Sequence, residues 1–189
     1  MISYKKLVKL DAKPTKQMLK DCKDAFMLIN GKIENECLKY ASSNKIDELV
    51  DNINKYYSTR IASEDKKKII AYIKKNKRKT KKELVNDLAN SNVVKTSKNY
   101  KSVATKIVYF LSDKKYPIYD SNAYNALIDI NKKMKFNKDL DKKLSIIKNK
   151  NFDYDIYKGI IDDFAEWCGI KHNNYQAIDK YLWTYGRNI

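Results

Sequence analysis

The sequence predicts an all-α protein, and three observations support that prediction. The 189 residues include only 4 Gly and 2 Pro, too few for the many tight turns of a β-sandwich or barrel. Apolar residues make up 43% of the chain, which is enough for a packed interior. Where apolar residues cluster, they recur at the three- and four-residue spacing of amphipathic helices. We therefore expect a helical bundle.

In the first half of the chain, this spacing predicts five helices. They cover approximately residues 14–30, 33–41, 45–58, 64–78 and 80–90. Gly31 is the residue type that commonly follows a helix end, so the first helix is expected to stop there. Thr80 and Glu83 have the spacing of a capping box at the start of the fifth helix.

The second half has stronger periodicity. A wide apolar stripe from Val103 to Leu111 predicts a helix that must end before Pro117, because proline disfavours a helical conformation in the residue before it. Asp120 or Ser121 can cap the next helix. Two more helices are expected, one from about residue 154 and one that begins after residue 173 or 174.

The charge of the chain favours a polyanionic partner. Lys and Arg number 40 against 23 Asp and Glu, a formal net charge of +17, so we expect a nucleic acid partner and, less often, an anionic membrane surface. Between Glu64 and Lys82 there are ten basic and two acidic residues. This run is either a solvated helix face or a surface that follows phosphates. An AT-rich genome would also enrich lysine. If genome composition alone explains the charge, the sequence predicts a helical protein that binds another protein.

Several classes of site and location are disfavoured. The three cysteines are scattered without a CxxC pair, and the single histidine, His172, has no ligand-spaced companion, so we expect neither a metal nor a cofactor. The chain has no apolar segment of signal-peptide or membrane-spanning length. We therefore expect a cytoplasmic protein that does not associate with membranes.

Two sequence blocks resemble one known family. The first, VATKIVYFLSDKKYPIYDSNAYNAL (103–127), has a small residue at Ala104, an amphipathic helix and a Pro–Asp element that opens the next helix. The second, IDKYLWTYG (178–186), is similar to a late family helix. Both are features of the helix-hairpin-helix DNA glycosylase superfamily. The resemblance covers about residues 98–189.

The resemblance implies a fold and a catalytic group. It implies two helical lobes with a cleft between them. We place the first lobe at residues 1–92, where no motif is matched, and the second at residues 93–189, the glycosylase-like region. It implies that Asp120 is the catalytic residue. Lys101, nineteen residues before Asp120, is at a position where bifunctional members carry a nucleophilic lysine, and only this would imply lyase activity.

The resemblance also implies double-stranded DNA as the partner, with DNA contacts and a base-binding pocket. We expect the following residues to contact DNA: Lys95, Lys98, Lys106, Lys114, Lys115, Ser121 and Arg187. We expect these aromatic residues to form the pocket for the flipped base: Tyr116, Tyr119, Tyr124 and Trp183.

One departure from the family pattern affects how DNA would be held. The stretch 92–102, where the family hairpin would lie, contains no glycine. Either Asn99 adopts a left-handed conformation or lysine side chains replace the backbone contacts to phosphate. The sequence therefore leaves two expectations open. One is a base-excision glycosylase that hydrolyses the N-glycosidic bond of a modified base; the other is a non-catalytic DNA-binding protein with a glycosylase-like fold.

Overall fold

The computed structural model describes residues 7–57, 59–90, 93–94, 100–148, 152–171 and 174–189. Within these ranges the chain forms nine α-helices and no strand, which confirms the all-α prediction. The first five helices are α1 (Lys16–Ser42), α2 (Ile46–Tyr56), α3 (Ser63–Lys75), α4 (Lys81–Ala89) and α5 (Lys101–Leu111). The last four are α6 (Ser121–Met134), α7 (Leu140–Lys148), α8 (Tyr154–Trp167) and α9 (Tyr175–Gly186).

Helix α1 differs from the prediction, because it continues through Gly31 to Ser42. The Thr15 side chain caps its start by accepting a hydrogen bond from the Met18 N–H. Gly31 is buried inside this helix, as is Glu34 three residues later. A mid-helix glycine destabilises a helix by about 1 kcal/mol, an amount that tertiary packing readily exceeds. The expected break at Gly31 was wrong for this reason.

Helix α4 begins as the sequence predicts. The Thr80 side chain accepts a hydrogen bond from the Glu83 N–H, and the Glu83 carboxylate accepts one from the Thr80 N–H.

Helix α7 was not predicted. Its buried residues, Leu140, Leu144 and Ile147, fall at a helical spacing but are outnumbered by lysine and other polar neighbours.

One continuous hydrophobic core contains residues from both the first and the second half of the chain. Helix α1 packs against α2, α5 and α9, and α9 also packs against α6 and α8. The closest approach of α6 and α9 occurs at Gly186, where an added Cβ would lie 2.0 Å from the backbone oxygen of Asn122. Only glycine fits there. None of the helices formed by the described residues is long and apolar enough to span a bilayer.

Candidate functional site

Asp120 caps helix α6 and lies in the wall of a cavity. Its backbone is extended, its Oδ1 atom accepts a hydrogen bond from the Asn122 N–H at 2.9 Å, and its carbonyl oxygen accepts one from the Tyr124 N–H. The predicted cap is therefore confirmed. This geometry fixes the side chain at the first turn of α6, where the helix dipole also favours a negative charge.

The segment that leads to Asp120 is held in place by side chains from three helices. Tyr154 and Tyr157 of α8 donate their hydroxyl protons to the carbonyl oxygens of Pro117 (2.8 Å) and Ile118 (2.6 Å). The N–H groups of the segment are bound as well: Ile118 donates to Asp179 of α9, and Tyr119 donates to Thr105 of α5. Because buried backbone groups need such partners, this turn has one well-defined conformation.

The cavity beside Asp120 has a volume of about 440 Å³. Helix α1 and the end of α2 form one wall, with Phe26, Ile29, Asn30, Ile33, Tyr56 and Tyr57. The opposite wall comes from α5, α9 and the start of α6, with Lys106, Ile118, Asp120, Ala123, Asp179, Lys180, Trp183 and Arg187. We call this cavity the Asp120 pocket. Its size and its mixture of aromatic and charged groups are typical of a small-molecule or nucleoside site.

Lys106 provides the charge closest to Asp120. Its Nζ atom lies 3.7 Å from Oδ2 of Asp120, it donates a hydrogen bond to the Ser102 hydroxyl, and it lies over the ring of Tyr57. Burial lowers the pKa of Lys106, and the Asp120 carboxylate offsets part of that effect. The side chain of Asp120 remains 25% exposed, and it lines the pocket together with Lys106.

Lys180 connects the pocket to a buried ion cluster. Its Nζ atom lies 2.7 Å from Glu34 of α1 and 3.7 Å from the centre of the Phe26 ring. Lys114 and Gln176 bind the other carboxylate oxygen of Glu34 at 3.0 and 2.9 Å. Burial raises the pKa of Glu34, but Lys180 and Lys114 outweigh this effect and lower its pKa overall. The cluster therefore ties α1 to α9 directly behind the pocket.

Asp179 is a second carboxyl group in the pocket wall. It is buried and accepts the N–H of Ile118. Burial raises the pKa of Asp179 well above its ordinary value, although Lys180 lowers it in part. Two carboxyl groups in one pocket thus have different surroundings, one buried and one partly open.

Trp183 is the predicted pocket aromatic that lines this cavity. It meets Phe26 edge to face, with ring centres 5.9 Å apart, and the Arg187 guanidinium lies 4.7 Å from its ring centre. The other three predicted aromatics are placed elsewhere. Tyr116 stacks on Tyr154, and Tyr119 and Tyr124 contact each other beside Phe152.

The predicted basic residues are distributed over several environments. Lys101 is buried and donates to the carbonyl oxygens of Ile147 (2.6 Å) and Lys148 (3.2 Å), near the end of α7, and it does not line the Asp120 pocket. Burial lowers the pKa of Lys101. Lys115 and Ser121 are exposed, whereas Lys106 and Lys114 point inward. The predictions for Lys95, Lys98 and His172 lie outside the described residues.

The basic run between Glu64 and Lys82 covers α3 and the start of α4. Half of its ten basic residues form ion pairs with acids: Lys66 with Asp51, Lys67 with Glu64, Lys74 with Asp47, Lys79 with Asp87, and Lys82 with Asp155. Exposed pairs of this kind are weak. The run can therefore still be a solvated face or a phosphate-binding surface.

The sequence did not identify the pocket wall formed by α1 and α2. Phe26, Asn30 and Ile33 recur at helical spacing on one side of α1, but the expected helix break at Gly31 divided this stripe. If the stripe had been interpreted as one continuous helix, it would have identified half of the residues in that wall. The aromatic pair Tyr56 and Tyr57 at the end of α2 has no pattern that distinguishes it from core tyrosines.

In the described part of the chain, no three His, Cys, Asp or Glu side chains come together as a metal ligand set.

Comparison with known proteins does not assign the chain to a family. No protein-family model matches the chain, and neither curated proteins nor solved structures give a significant match. The candidate site therefore stands on its own residues.

Proposed function

We propose that the protein is a DNA-binding base-excision glycosylase that hydrolyses the N-glycosidic bond of a modified base, with Asp120 as its catalytic carboxylate. The observation that carries the proposal is the position of Asp120: a rigidly held, partly open carboxylate in the wall of a nucleoside-sized pocket. The two sequence blocks that resemble the glycosylases both contribute to this pocket, through Asp120 and Trp183.

The pocket offers surfaces suited to an extruded base. Phe26, Tyr57 and Trp183 provide aromatic surface, and base–aromatic stacking contributes about 1–3 kcal/mol per base. Two ammonium groups, Lys106 and Lys180, can donate hydrogen bonds to carbonyl oxygens or ring nitrogens of the base. A base leaves the duplex only if such contacts replace its stacking and pairing.

The chemistry would need only Asp120 and water. The bond between C1′ and the base nitrogen breaks, and both of its electrons leave with the base. Positive charge develops on the sugar, and the Asp120 carboxylate stabilises it. Water adds its oxygen to C1′ and its proton ends on the base. Lys106 acts as a positioning residue, because its charge lies 3.7 Å from the carboxylate and restrains it.

The proposal extends to a glycosylase-like arrangement of two lobes that share one hydrophobic core. In this proposal α1–α4 form one lobe and α5–α9 the other, with the Asp120 pocket as the cleft. The walls of the pocket agree with this division, since one comes from α1 and α2 and the other from α5, α6 and α9.

The direct test uses a panel of duplexes, each with a different modified base, followed by alkali to cut the strand where a base was released. We expect wild type to release a base from at least one duplex. The Asp120→Asn variant should lose at least about 100-fold of that rate, since Asn keeps the helix cap but lacks the charge. Asp153 caps α8 through the same type of contact, so Asp153→Asn is the matched control and should retain full activity.

A second candidate function is DNA binding without catalysis. It is favoured by the absence of glycine from residues 92–102, where the family hairpin would lie. In that case the wild type retards duplex DNA but releases no base from any member of the panel, and Asp120→Asn binds with unchanged affinity. Base release by wild type excludes this candidate.

A further inference from the structure

A second cavity of about 580 Å³ lies along helix α1 from the Asp120 pocket. The first half of α1 contributes to its lining, as do residues 169–171, Asn174 and Ala177. Four lysines line it, Lys16, Lys20, Lys23 and Lys171, and none of its lining residues is acidic. We call it the lysine groove. Its charge distinguishes it from the Asp120 pocket, whose basic side chains are accompanied by two carboxyl groups.

Residues 169–171, which follow α8, bring the chain to the side chains of α1. Gly169 has a φ of +70°, a left-handed conformation that ends α8 and redirects the chain. An added Cβ at Gly169 would lie 3.9 Å from Cε of Lys16, so Gly169 lies close to the end of the Lys16 side chain. Lys171 follows two residues later and lines the groove together with the lysines of α1.

Two acids of α1 lie near these lysines but do not line the groove. Gln17 donates to Asp21 at 2.6 Å, and Lys20 pairs with Asp24 at 2.7 Å. The Lys20–Asp24 pair is exposed on both sides, and such pairs contribute little in water. A phosphate can therefore replace Asp24 as the partner of Lys20 at small cost.

The groove and the Asp120 pocket lie along one stripe of α1. Residues at three- and four-residue spacing share a face of a helix. Such a stripe links the groove lysines to the pocket wall: Lys16, Lys20, Lys23, Phe26, Asn30 and Ile33. Helix α9, which packs against α1, has the same pattern, with Ala177 in the groove and Lys180, Trp183 and Arg187 in the pocket. Both cavities are therefore built along the contact between α1 and α9.

The length of this stripe suits a short run of nucleotides. Lys16 and Asn30 are separated by about 21 Å along the helix axis, from a rise of 1.5 Å per residue. Successive phosphates of one strand advance by about 3.4 Å along the axis of duplex DNA and lie farther apart along the backbone itself, so the stripe spans at most about six phosphates. A strand that places one nucleotide in the pocket therefore has several phosphates within reach of the groove.

Two lysines expected to contact phosphate point into the protein instead. Lys106 pairs with Asp120, and Lys114 pairs with Glu34. Lys115 is exposed, and the groove adds four lysines that no acidic lining residue accompanies.

We propose that the lysine groove binds the phosphate backbone of the DNA strand whose nucleotide enters the Asp120 pocket. This inference rests on the proposed function and adds the path of the bound strand. Lys16, Lys20, Lys23 and Lys171 make the phosphate contacts.

The test measures binding of a short fluorescein-labelled duplex with one abasic-site analogue by fluorescence anisotropy over a salt titration. The variant carries Lys16→Gln, Lys20→Gln and Lys23→Gln. Its matched control carries Lys132→Gln, Lys135→Gln and Lys138→Gln, three exposed lysines at the end of α6 with the same change in charge. We expect the groove variant to bind at least about tenfold more weakly at low salt and to lose about 2–3 from the log–log salt slope, while the control stays near wild type.

Other outcomes contradict the inference in distinguishable ways. If the groove variant binds like wild type, or if the control weakens equally, the groove is not the phosphate site, although the proposed function can stand. If wild type binds no duplex, the proposed function fails as well. If the groove variant loses binding only to phosphatidylserine vesicles and keeps its affinity for DNA, the groove is a lipid-binding surface and the proposal is wrong. Thermal melting of all variants by circular dichroism checks that each is folded.

Discussion

The ammonium group of Lys106 lies 3.7 Å from the carboxylate of Asp120, and the two side chains differ sharply in exposure, at 6% and 25%. Both side chains line the pocket, and the Lys106 ammonium also lies over the ring of Tyr57. A buried cation beside a partly open carboxylate is costly to fold unless the pair is kept together. This relationship links the stability of the protein to the geometry of the candidate site.

Lys106→Met should change how stability depends on pH. Burial lowers the pKa of Lys106 below its ordinary value of 10.5. Between the lowered pKa and 10.5, the unfolded chain binds the proton and the folded chain does not, so the wild type gains stability as pH rises. The variant lacks this gain. Urea unfolding of both proteins as pH rises to about 10.5 should show the free energy of unfolding of the wild type increasing relative to that of the variant, and a constant difference would contradict a buried ammonium.

Trp183→Leu should slow base release while leaving duplex affinity nearly unchanged. Trp183 lines the pocket, and loss of base–aromatic stacking of about 1–3 kcal/mol corresponds to roughly a tenfold slower reaction. Tyr124→Leu is the control, since Tyr124 packs against Tyr119 away from the pocket. Single-turnover rates on the duplex with the best modified base measure both. Equal rates for the two variants would place the base elsewhere.

Glu34→Gln should destabilise the protein by about 3–5 kcal/mol, because it leaves Lys180 and Lys114 without their buried counter-charge. The lowered pKa of Glu34 adds a pH signature: its stabilisation is present above its ordinary pKa of 4.5 and is lost as pH falls through the folded-state pKa. The difference in free energy of unfolding between wild type and Glu34→Gln should therefore become smaller as pH falls.

The control for this change is Glu36→Gln on the same helix, where Glu36 is only partly buried and makes a long contact of 3.5 Å with Asn52. We expect it to cost less than about 0.5 kcal/mol. Urea unfolding at pH 7 and at pH 4 measures both variants. Similar losses in the two would show that the cluster around Glu34 contributes little.

Gly186→Ala and Gly159→Ala should have opposite effects, although both glycines are helical. At Gly186 the new methyl group would overlap the Asn122 backbone, and separation of α9 from α6 should cost about 3 kcal/mol. At Gly159 nothing lies within 4 Å, so alanine should stabilise α8 by about 0.5–1 kcal/mol. Thermal unfolding compares them directly. A neutral Gly186→Ala would show that the two helices are farther apart than described.

Local signals in the sequence were sufficient for most helices and for the position of Asp120. The capping box at Thr80 and the cap at Asp120 depend on residues only a few positions apart, so they are visible without tertiary structure. The break expected at Gly31 failed because packing of α1 against α9 outweighs the intrinsic preference of one residue. Helix α7 was missed because its three buried residues lie among polar ones.

The site itself was only half visible in the sequence. Asp120 and Trp183 were named because motif-like blocks carry them, whereas Phe26 and Tyr57 enter the pocket through contacts between distant helices. Lysine is ordinarily an exposed residue, so sequence patterns could not show that Lys101 and Lys106 are buried. Each is accommodated by partners that the fold supplies, namely the carbonyl oxygens at the end of α7 and the Asp120 carboxylate.

The four hydrogen bonds that hold residues 117–119 determine how the pocket can respond to different ligands. The wall that contains residues 117–120 is preorganised. The entropy cost of orienting Asp120 is therefore met during folding and does not weaken ligand binding. Induced fit must then take place on the other side, where Ile29 and Tyr56 are 55% and 42% exposed and are free to change rotamer. Selectivity among ligands of different size would accordingly evolve through substitutions in α1 and α2, without any change to the residues around Asp120.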